Sequence, residues 1–239
     1  MDEELRAATP WGELLLCLTE KTDRSQVRLW LEGTLLMDSA LSGSEVALAQ
    51  QGMAAWHALR PVGVVSGARV LVAGLGIGVT LRELLRDPAV GQVHVVELLA
   101  PLVAWNRTAL RAFNAGALAD RRVACWVGDV RQYLETAAPG EAQFELMLFD
   151  IDNGPTWLSR PENAWLYTPA GIETVARRLA AGGVALYWAS EAAPRFAADL
   201  ARCAPNRWGV DRLELQEPAR GRLLDYYLYR LWAPRHASG

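Results

Sequence analysis

The chain has 239 residues, a formal net charge of −3, 51% hydrophobic and 21% charged residues, proportions ordinary for a globular protein. This length is enough for one well-buried α/β core with room for a small appendage, and the weak negative charge gives no electrostatic reason to expect nucleic acid or an anionic membrane as partner. Lys21 is the only lysine among the 24 basic residues, which together with the many alanines reads as coding bias rather than an arginine-based site.

Cys17, Cys125 and Cys203 lie far apart with no CxxC pair, so neither a disulfide framework nor a structural zinc site is expected. His57, His94 and His236 do not cluster, and no metal site is expected. The opening "MDEELRAATPW" is acidic, unlike a signal peptide, and no apolar run of about 18 residues is present. A cytoplasmic protein without a membrane span is the expectation.

In chain order, "LLLCLTE", "VRLWLEG" and "TLLMDSA" are short, partly alternating runs punctuated by Asp, Gly and Ser, and they predict a small antiparallel β unit. "SEVALAQQGMAAWHAL" has helical spacing with Ser44 as N-cap. From Arg69 the pattern becomes strand, helix, strand. "RVLVAG" is the continuous apolar run of a strand covered on both faces, followed by the helix "VTLRELLRD". "QVHVVEL", "RVACWVGD", "FELMLFDID" and "VALYWAS" predict further strands. The intervening helices are "PLVAWNRTALRAF", "VRQYLETA", "TPAGIETVARRLAAGG" and "APRFAADLARCA". "VDRLELQE" and "LLDYYLYRLWA", either side of Arg220–Gly221, predict a hairpin, and "APRHASG" a frayed tail.

Repeated βα units with short loops predict an α/β fold with a doubly wound, mostly parallel seven-stranded sheet closed by a C-terminal antiparallel hairpin. The expected division is an N-terminal β unit with connecting helix over residues 1–60 and a Rossmann-like domain over residues 61–239.

In "VLVAGLGIGVT", Gly74, Gly76 and Gly78 follow the first parallel strand, where absent Cβ atoms let backbone amides approach a ligand. Alone this is also the pattern of a tight strand-to-helix turn. Glu97 ends the next strand, where a carboxylate can accept both ribose hydroxyls, and Asp129 ends the third, where one can meet an adenine amino group. Each singly is also an ordinary surface acid. Together, on the carboxyl edge of one sheet, they favour an adenosine-containing ligand, and the missing final glycine of GxGxxG favours S-adenosylmethionine over a dinucleotide.

Asp150 and Asp152 close the fourth strand, where a carboxylate can position an amine nucleophile and take its proton. Asn153, Trp157, Trp165 and Tyr167 follow in a long aromatic segment suited to lining a substrate pocket, though packing or a dimer contact would use the same residues. Arg160 reads either as a ligand for a substrate carboxylate or as a solvated surface residue.

From Leu29 to Trp232 the chain resembles the spermidine synthase family, aminopropyltransferases built on the class I methyltransferase fold. "VLVAGLGIGVTLRELLRDPAVGQVHVVEL" is similar to that family's glycine loop and acid-ended second strand, "DRRVACWVGDVRQYL" to its D-R-V…GD…L segment. "FELMLFDIDNGP" falls where the family carries its catalytic Asp-Ser-Ser-Asp-Pro loop. The resemblance implies a transferase using S-adenosylmethionine or its decarboxylated form with a small-molecule acceptor, and a homodimer is the expected assembly. It also implies departures. Ile77 stands where the family's loop has an aspartate holding the aminopropyl amine, and Leu48–Ala49 where it has a tyrosine–histidine pair. Asp150 matches the first catalytic aspartate, but Asn153 and Gly154 replace the second aspartate and its proline, and Asp152 replaces a serine. Methyl transfer to a small amine, which needs none of the missing groups, is therefore the first expectation. Aminopropyl transfer from decarboxylated S-adenosylmethionine and a non-catalytic adenosyl-binding dimeric scaffold are the alternatives.

Overall fold

Strand β5 (Ala68–Ala73) is the central element: Val70 and Val72 pack into one apolar layer, Leu71 and Ala73 into the other, and all four are fully buried. That two-sided burial is the physical reason for the unbroken apolar run. A computed structural model of the chain describes residues 2–19, 26–60, 67–136, 143–219 and 221–234. In it β5 lies between β8 (Phe144–Phe149) and β6 (Val90–Glu97), both parallel to it. The sheet continues through β7 (Val123–Val127) on one side and β9 (Leu179–Ala189) on the other. It ends in the antiparallel hairpin β10 (Gly209–Ala219) and β11 (Arg222–Trp232), giving the order β10-β11-β9-β8-β5-β6-β7. This is the α/β, mostly parallel seven-stranded architecture expected from the βα repeats.

One face of the sheet is covered by α1 (Gly43–Leu59), α2 (Val79–Leu84) and α3 (Ala100–Arg107), through Leu48, Met53, Trp56, Leu81, Leu84 and Val103. The other is covered by α4 (Val130–Thr136), α5 (Pro169–Arg178) and α6 (Pro194–Cys203), through Leu134, Ile172, Val175, Phe196 and Leu200. The smaller N-terminal sheet is a four-stranded antiparallel meander of β1 (Asp2–Thr9), β2 (Gly12–Thr19), β3 (Gln26–Leu31) and β4 (Thr34–Asp38). Its inner face, Leu14, Leu16, Val27 and Leu29, packs with Ile77, Val79, Leu99 and Leu102 of the glycine-loop region. The apolar face of the small sheet thereby covers the mouth of the large one.

One strand is added to those expected: the acidic opening segment forms β1, because Leu5 and Ala7 alternate with polar residues and pair with Leu16 and Leu14. Three local expectations are corrected. Ser44 does not cap α1: the helix begins at Gly43, and the amides of Gly43 and Ser44 donate to the Glu217 carboxylate of β10 at 2.7 and 3.1 Å. The third helix stops at Arg107 rather than running to Phe113; Thr108 leaves helical geometry and Asn114 donates back to the Asn106 carbonyl at 2.8 Å. The segment "TPAGIETVARRLAAGG" is helical only to Arg178, since Leu179 already pairs with Phe144 of β8 and Gly182 has a φ of +71°. Propensity favoured continuing an alanine-rich helix, but sheet pairing overrides it. The expected division after residue 60, Arg220 of the hairpin turn and the tail beyond residue 234 lie outside the described residues.

Candidate active site

The carboxyl ends of β5, β6, β7 and β8 open into a cavity of about 520 Å³ roofed by the N-terminal sheet. It sits where the chain order reverses about β5, the crevice in which open α/β sheets bind ligands. Among the described residues eight acidic side chains line it, those of Asp38, Glu45, Glu97, Asp129, Asp150, Asp152, Glu217 and Asp225, against a single cationic side chain, Arg160. A cavity of that sign concentrates cations and opposes anions.

The glycine loop forms one wall. Gly74 has a φ of +91°, and a Cβ there would sit 2.0 Å from the Asp150 carbonyl oxygen, so close contact between loop and β8 requires glycine. Gly76 also lines the cavity, and Asn106 donates to its carbonyl at 2.8 Å. Gly78 does not line it. It precedes α2 with a φ of +85° and is pressed against Asn106 and Asn114, so its part is to turn the chain into the helix. Ile77 also points away from the cavity, 1% exposed within the apolar layer under the N-terminal sheet.

Glu97 lines the cavity from the end of β6, yet its carboxylate already accepts from the Leu75 amide at 2.9 Å and the Leu99 amide at 2.8 Å. Complete burial pushes its carboxyl up, and these amide donors pull it back down. Glu97 therefore braces the glycine loop as well as facing the cavity. Asp129 lines the same side after β7 and accepts from the Arg131 amide at 2.7 Å, which starts α4.

On the opposite side Asp150 directly follows β8, partly buried, with the Thr80 hydroxyl donating to Oδ2 at 3.1 Å. Burial pushes its carboxyl up to about 6. Glu45, from the first turn of α1, faces it; burial first and the Asp150 charge second push that carboxyl up to about 8. Two buried carboxyls with this separation hold one proton between them near neutral pH. Sequence reasoning missed Glu45. Its signal was an acid at an inward-facing position of an otherwise apolar helix, but without the sheet order nothing linked it to Asp150.

Asp152 also lines the cavity and is 8% exposed. Its Oδ1 accepts from the Ser159 amide at 2.6 Å and from the Ser159 hydroxyl, while Oδ2 has no hydrogen-bond partner. Burial pushes this carboxyl up, with Ser159, Asn163 and the Arg160 charge acting against that. Asn153 lines the cavity, and its carbonyl accepts from the amide and hydroxyl of Ser190, each at 2.9 Å. Trp157 lines it and is 57% exposed at the rim. The other two aromatics expected to line the pocket are not among its wall residues. Trp165 packs under the Arg131 guanidinium, 5.3 Å from its ring centre, and Tyr167 stands edge-on to Phe196 with ring centres 5.2 Å apart. Both pack into the helical layer; burial pushes the Tyr167 hydroxyl up, and Asp152 and Asp150 are close enough for their charges to push it further.

Residues 59–194 match the family model of the spermine/spermidine synthase domain, more than half of the chain. The chain belongs to this family. A polyamine aminopropyltransferase of Mycobacterium tuberculosis is 38% identical over 122 residues, 51% of this chain and 23% of that protein. Polyamine aminopropyltransferase 2 of Pseudomonas aeruginosa is 29% identical over 187 residues, 74% of this chain and 46% of that protein. The chain thus spans about a quarter to a half of the length of these relatives. Among solved structures, spermidine synthase from Thermotoga maritima superposes with a TM-score of 0.62 at 15% identity, over 95% of this chain and 72% of that one. A spermidine synthase in complex with the transition-state analogue AdoDATO gives 0.62's near equal, 0.61, at 14% identity. The fold is therefore that of the spermidine synthases. Among the described residues no helix is long and apolar enough to cross a membrane.

Proposed function

We propose that the chain transfers an aminopropyl group from decarboxylated S-adenosylmethionine to an amine, which places the family's own reaction ahead of the methyl transfer first expected. The observation that carries this reading is the cavity's charge: among the described residues eight acids, with Glu45 protonated at neutral pH, against one arginine suit a sulfonium donor and a polycationic acceptor, and both lack an anionic group in the ordinary reaction. The relatives are polyamine aminopropyltransferases, which supports the same choice.

Gly74, Gly76, Glu97 and Asp129 form the wall suited to the adenosyl part of the donor. A sulfonium supplies an already activated carbon, so what the protein must add is orientation and removal of a proton from the attacking nitrogen. Asp150 is the group for that proton. Its carboxyl, raised to about 6, is ionised at neutral pH while the neighbouring Glu45, at about 8, stays protonated. The acceptor ammonium first gives a proton to the Asp150 carboxylate; the freed nitrogen lone pair then forms the bond to carbon as the carbon–sulfur bond breaks and methylthioadenosine leaves. Ile77 withholds the carboxylate that the family's loop offers to the aminopropyl amine.

Calorimetry with decarboxylated S-adenosylmethionine, S-adenosylmethionine and methylthioadenosine tests the donor, and mass spectrometry of a reaction with putrescine tests the transfer. Tight binding of the decarboxylated form and an aminopropylated product are expected. Binding of S-adenosylmethionine alone, with a methylated product, would return the reading to methyl transfer, and binding of no adenosyl compound would favour the scaffold.

A further inference from the structure

The described residues contain five buried side-chain polar atoms without a hydrogen-bond partner, and three of these belong to residues lining the cavity: Asp152 Oδ2, Arg160 Nη1 and Trp188 Nε1. Buried polar groups are nearly always satisfied, so such a concentration in one wall marks groups arranged for a ligand. Two of the three are an opposite-charge pair from one loop, and their charges are close enough for Arg160 to pull the Asp152 carboxyl down.

Arg160 is not the solvated arginine that the sequence allowed. Its side chain is 15% exposed and its guanidinium lies 4.4 Å from the centre of the Trp11 ring, the N-terminal sheet holding it from above. Nη2 meets the exposed Glu162 at 3.4 Å, a weak contact across solvent. Nη1 is left as a buried, charged donor without a partner, in a wall whose other ionisable groups among the described residues are acids. A polyamine offers nothing to such a donor. A carboxylate does, and an arginine held over an aromatic ring is well suited to bind one.

Resting on the transferase reading above, we propose that Arg160 and Asp152 together recognise an amino-carboxylate head group, and that the acceptor is a diamino monocarboxylic acid rather than a simple diamine. Arg160 takes the carboxylate, Asp152 the adjacent ammonium, and the remote amine reaches Asp150. Such an acceptor keeps a net positive charge and so remains compatible with the acidic cavity. Its carboxylate meets Arg160, the one cation among the described residues of the wall.

The test compares L-ornithine with putrescine, which differ by that carboxylate, in calorimetric titrations of protein saturated with methylthioadenosine. The expected result is that ornithine binds about tenfold or more tightly than putrescine. Arg160→Gln should erase this preference while methylthioadenosine affinity stays within about twofold, and Arg160→Lys should keep part of it. Equal or tighter binding of putrescine to the wild type overturns the proposal, as does a uniform loss for both amines in Arg160→Gln, the mark of a merely structural arginine. If instead the wild type prefers intact S-adenosylmethionine over its decarboxylated form, and Arg160→Gln removes that preference, the carboxylate belongs to the donor and the acceptor assignment falls. Absence of methylthioadenosine binding, measured before any amine is added, is a separate failure that removes the transferase reading itself.

Discussion

The two sides of the cavity are built on different terms. On the glycine-loop side the polar groups are engaged with the protein itself: Glu97 accepts from Leu75 and Leu99, Asp129 from Arg131, and Asn106 holds the Gly76 carbonyl. On the side formed by β8 and the loop after it, Asp150 and Glu45 share a buried space, and Asp152, Arg160 and Trp188 keep atoms unbonded. The first side is preorganised by backbone, which suits the constant part of a donor. The second keeps unspent polar atoms, and specificity resides where a ligand must complete the bonding.

The largest expected effect lies where the two sides touch. Gly74→Ala places a methyl 2.0 Å from the Asp150 carbonyl at a φ of +91°, so strand β8 or the loop must move. A loss of more than about 4 kcal/mol, or no folded protein, is expected in denaturant titration. A variant as stable as the wild type would show that the loop is not clamped to β8. Next comes Asp150→Asn, confined to the reactive side: turnover should fall about a hundredfold or more, with methylthioadenosine affinity nearly unchanged. The acidic limb of the wild-type rate profile should lie near the carboxyl value of about 6 and vanish in the variant. An unchanged limb would assign that proton to another group.

Reading the fold from the sequence worked where one physical signal dominates. The two-sided burial of β5 imposed its apolar run, and acids at the ends of β6, β7 and β8 all line one cavity, as strand polarity requires. It failed where tertiary pairing overrides local preference. Leu179 is drawn out of a helical stretch by Phe144, and the α1 amides are served by Glu217, a residue 174 positions away. The site was legible at the level of Asp150 and Asp152 but not in its partners. Whether Arg160 is solvated depends on Trp11, and whether Glu45 meets Asp150 depends on the stacking of α1 on the sheet. Trp165 and Tyr167 had the composition of a pocket lining, yet composition does not tell which face of a loop turns inward.

Ile77 sharpens the contrast from the preorganised side. Because its side chain is enclosed by Leu14, Leu16, Val79 and Leu102, Ile77→Asp would bury a carboxyl among apolar groups instead of restoring an amine ligand. A loss of about 2–3 kcal/mol in denaturant titration is expected, with no gain in affinity for decarboxylated S-adenosylmethionine. Tighter donor binding in that variant would mean that the loop can turn residue 77 into the cavity.

The smallest effect, on the reactive side, separates the two buried acids. Glu45 is raised from an ordinary 4.5 to about 8, so its protonated form is the one the fold favours. Its contribution to stability is complete below about pH 4.5 and is lost as pH rises through about 8. Asp150 follows the same sign lower down, between 3.8 and about 6. Glu45→Gln keeps the neutral shape of the protonated acid and removes only its titration. Thermal unfolding followed from pH 5 to 9 should therefore show the variant close to the wild type at the acid end and at least about 3 °C more stable at the alkaline end. The part of the decline below about pH 6 that Asp150 contributes should persist in the variant, and the decline from there to about pH 8 should be lost with Glu45. Parallel curves for the two proteins at every pH would mean that Glu45 is already ionised in the folded state, and Asp150 would then lose the neutral neighbour that leaves it free to take the acceptor's proton.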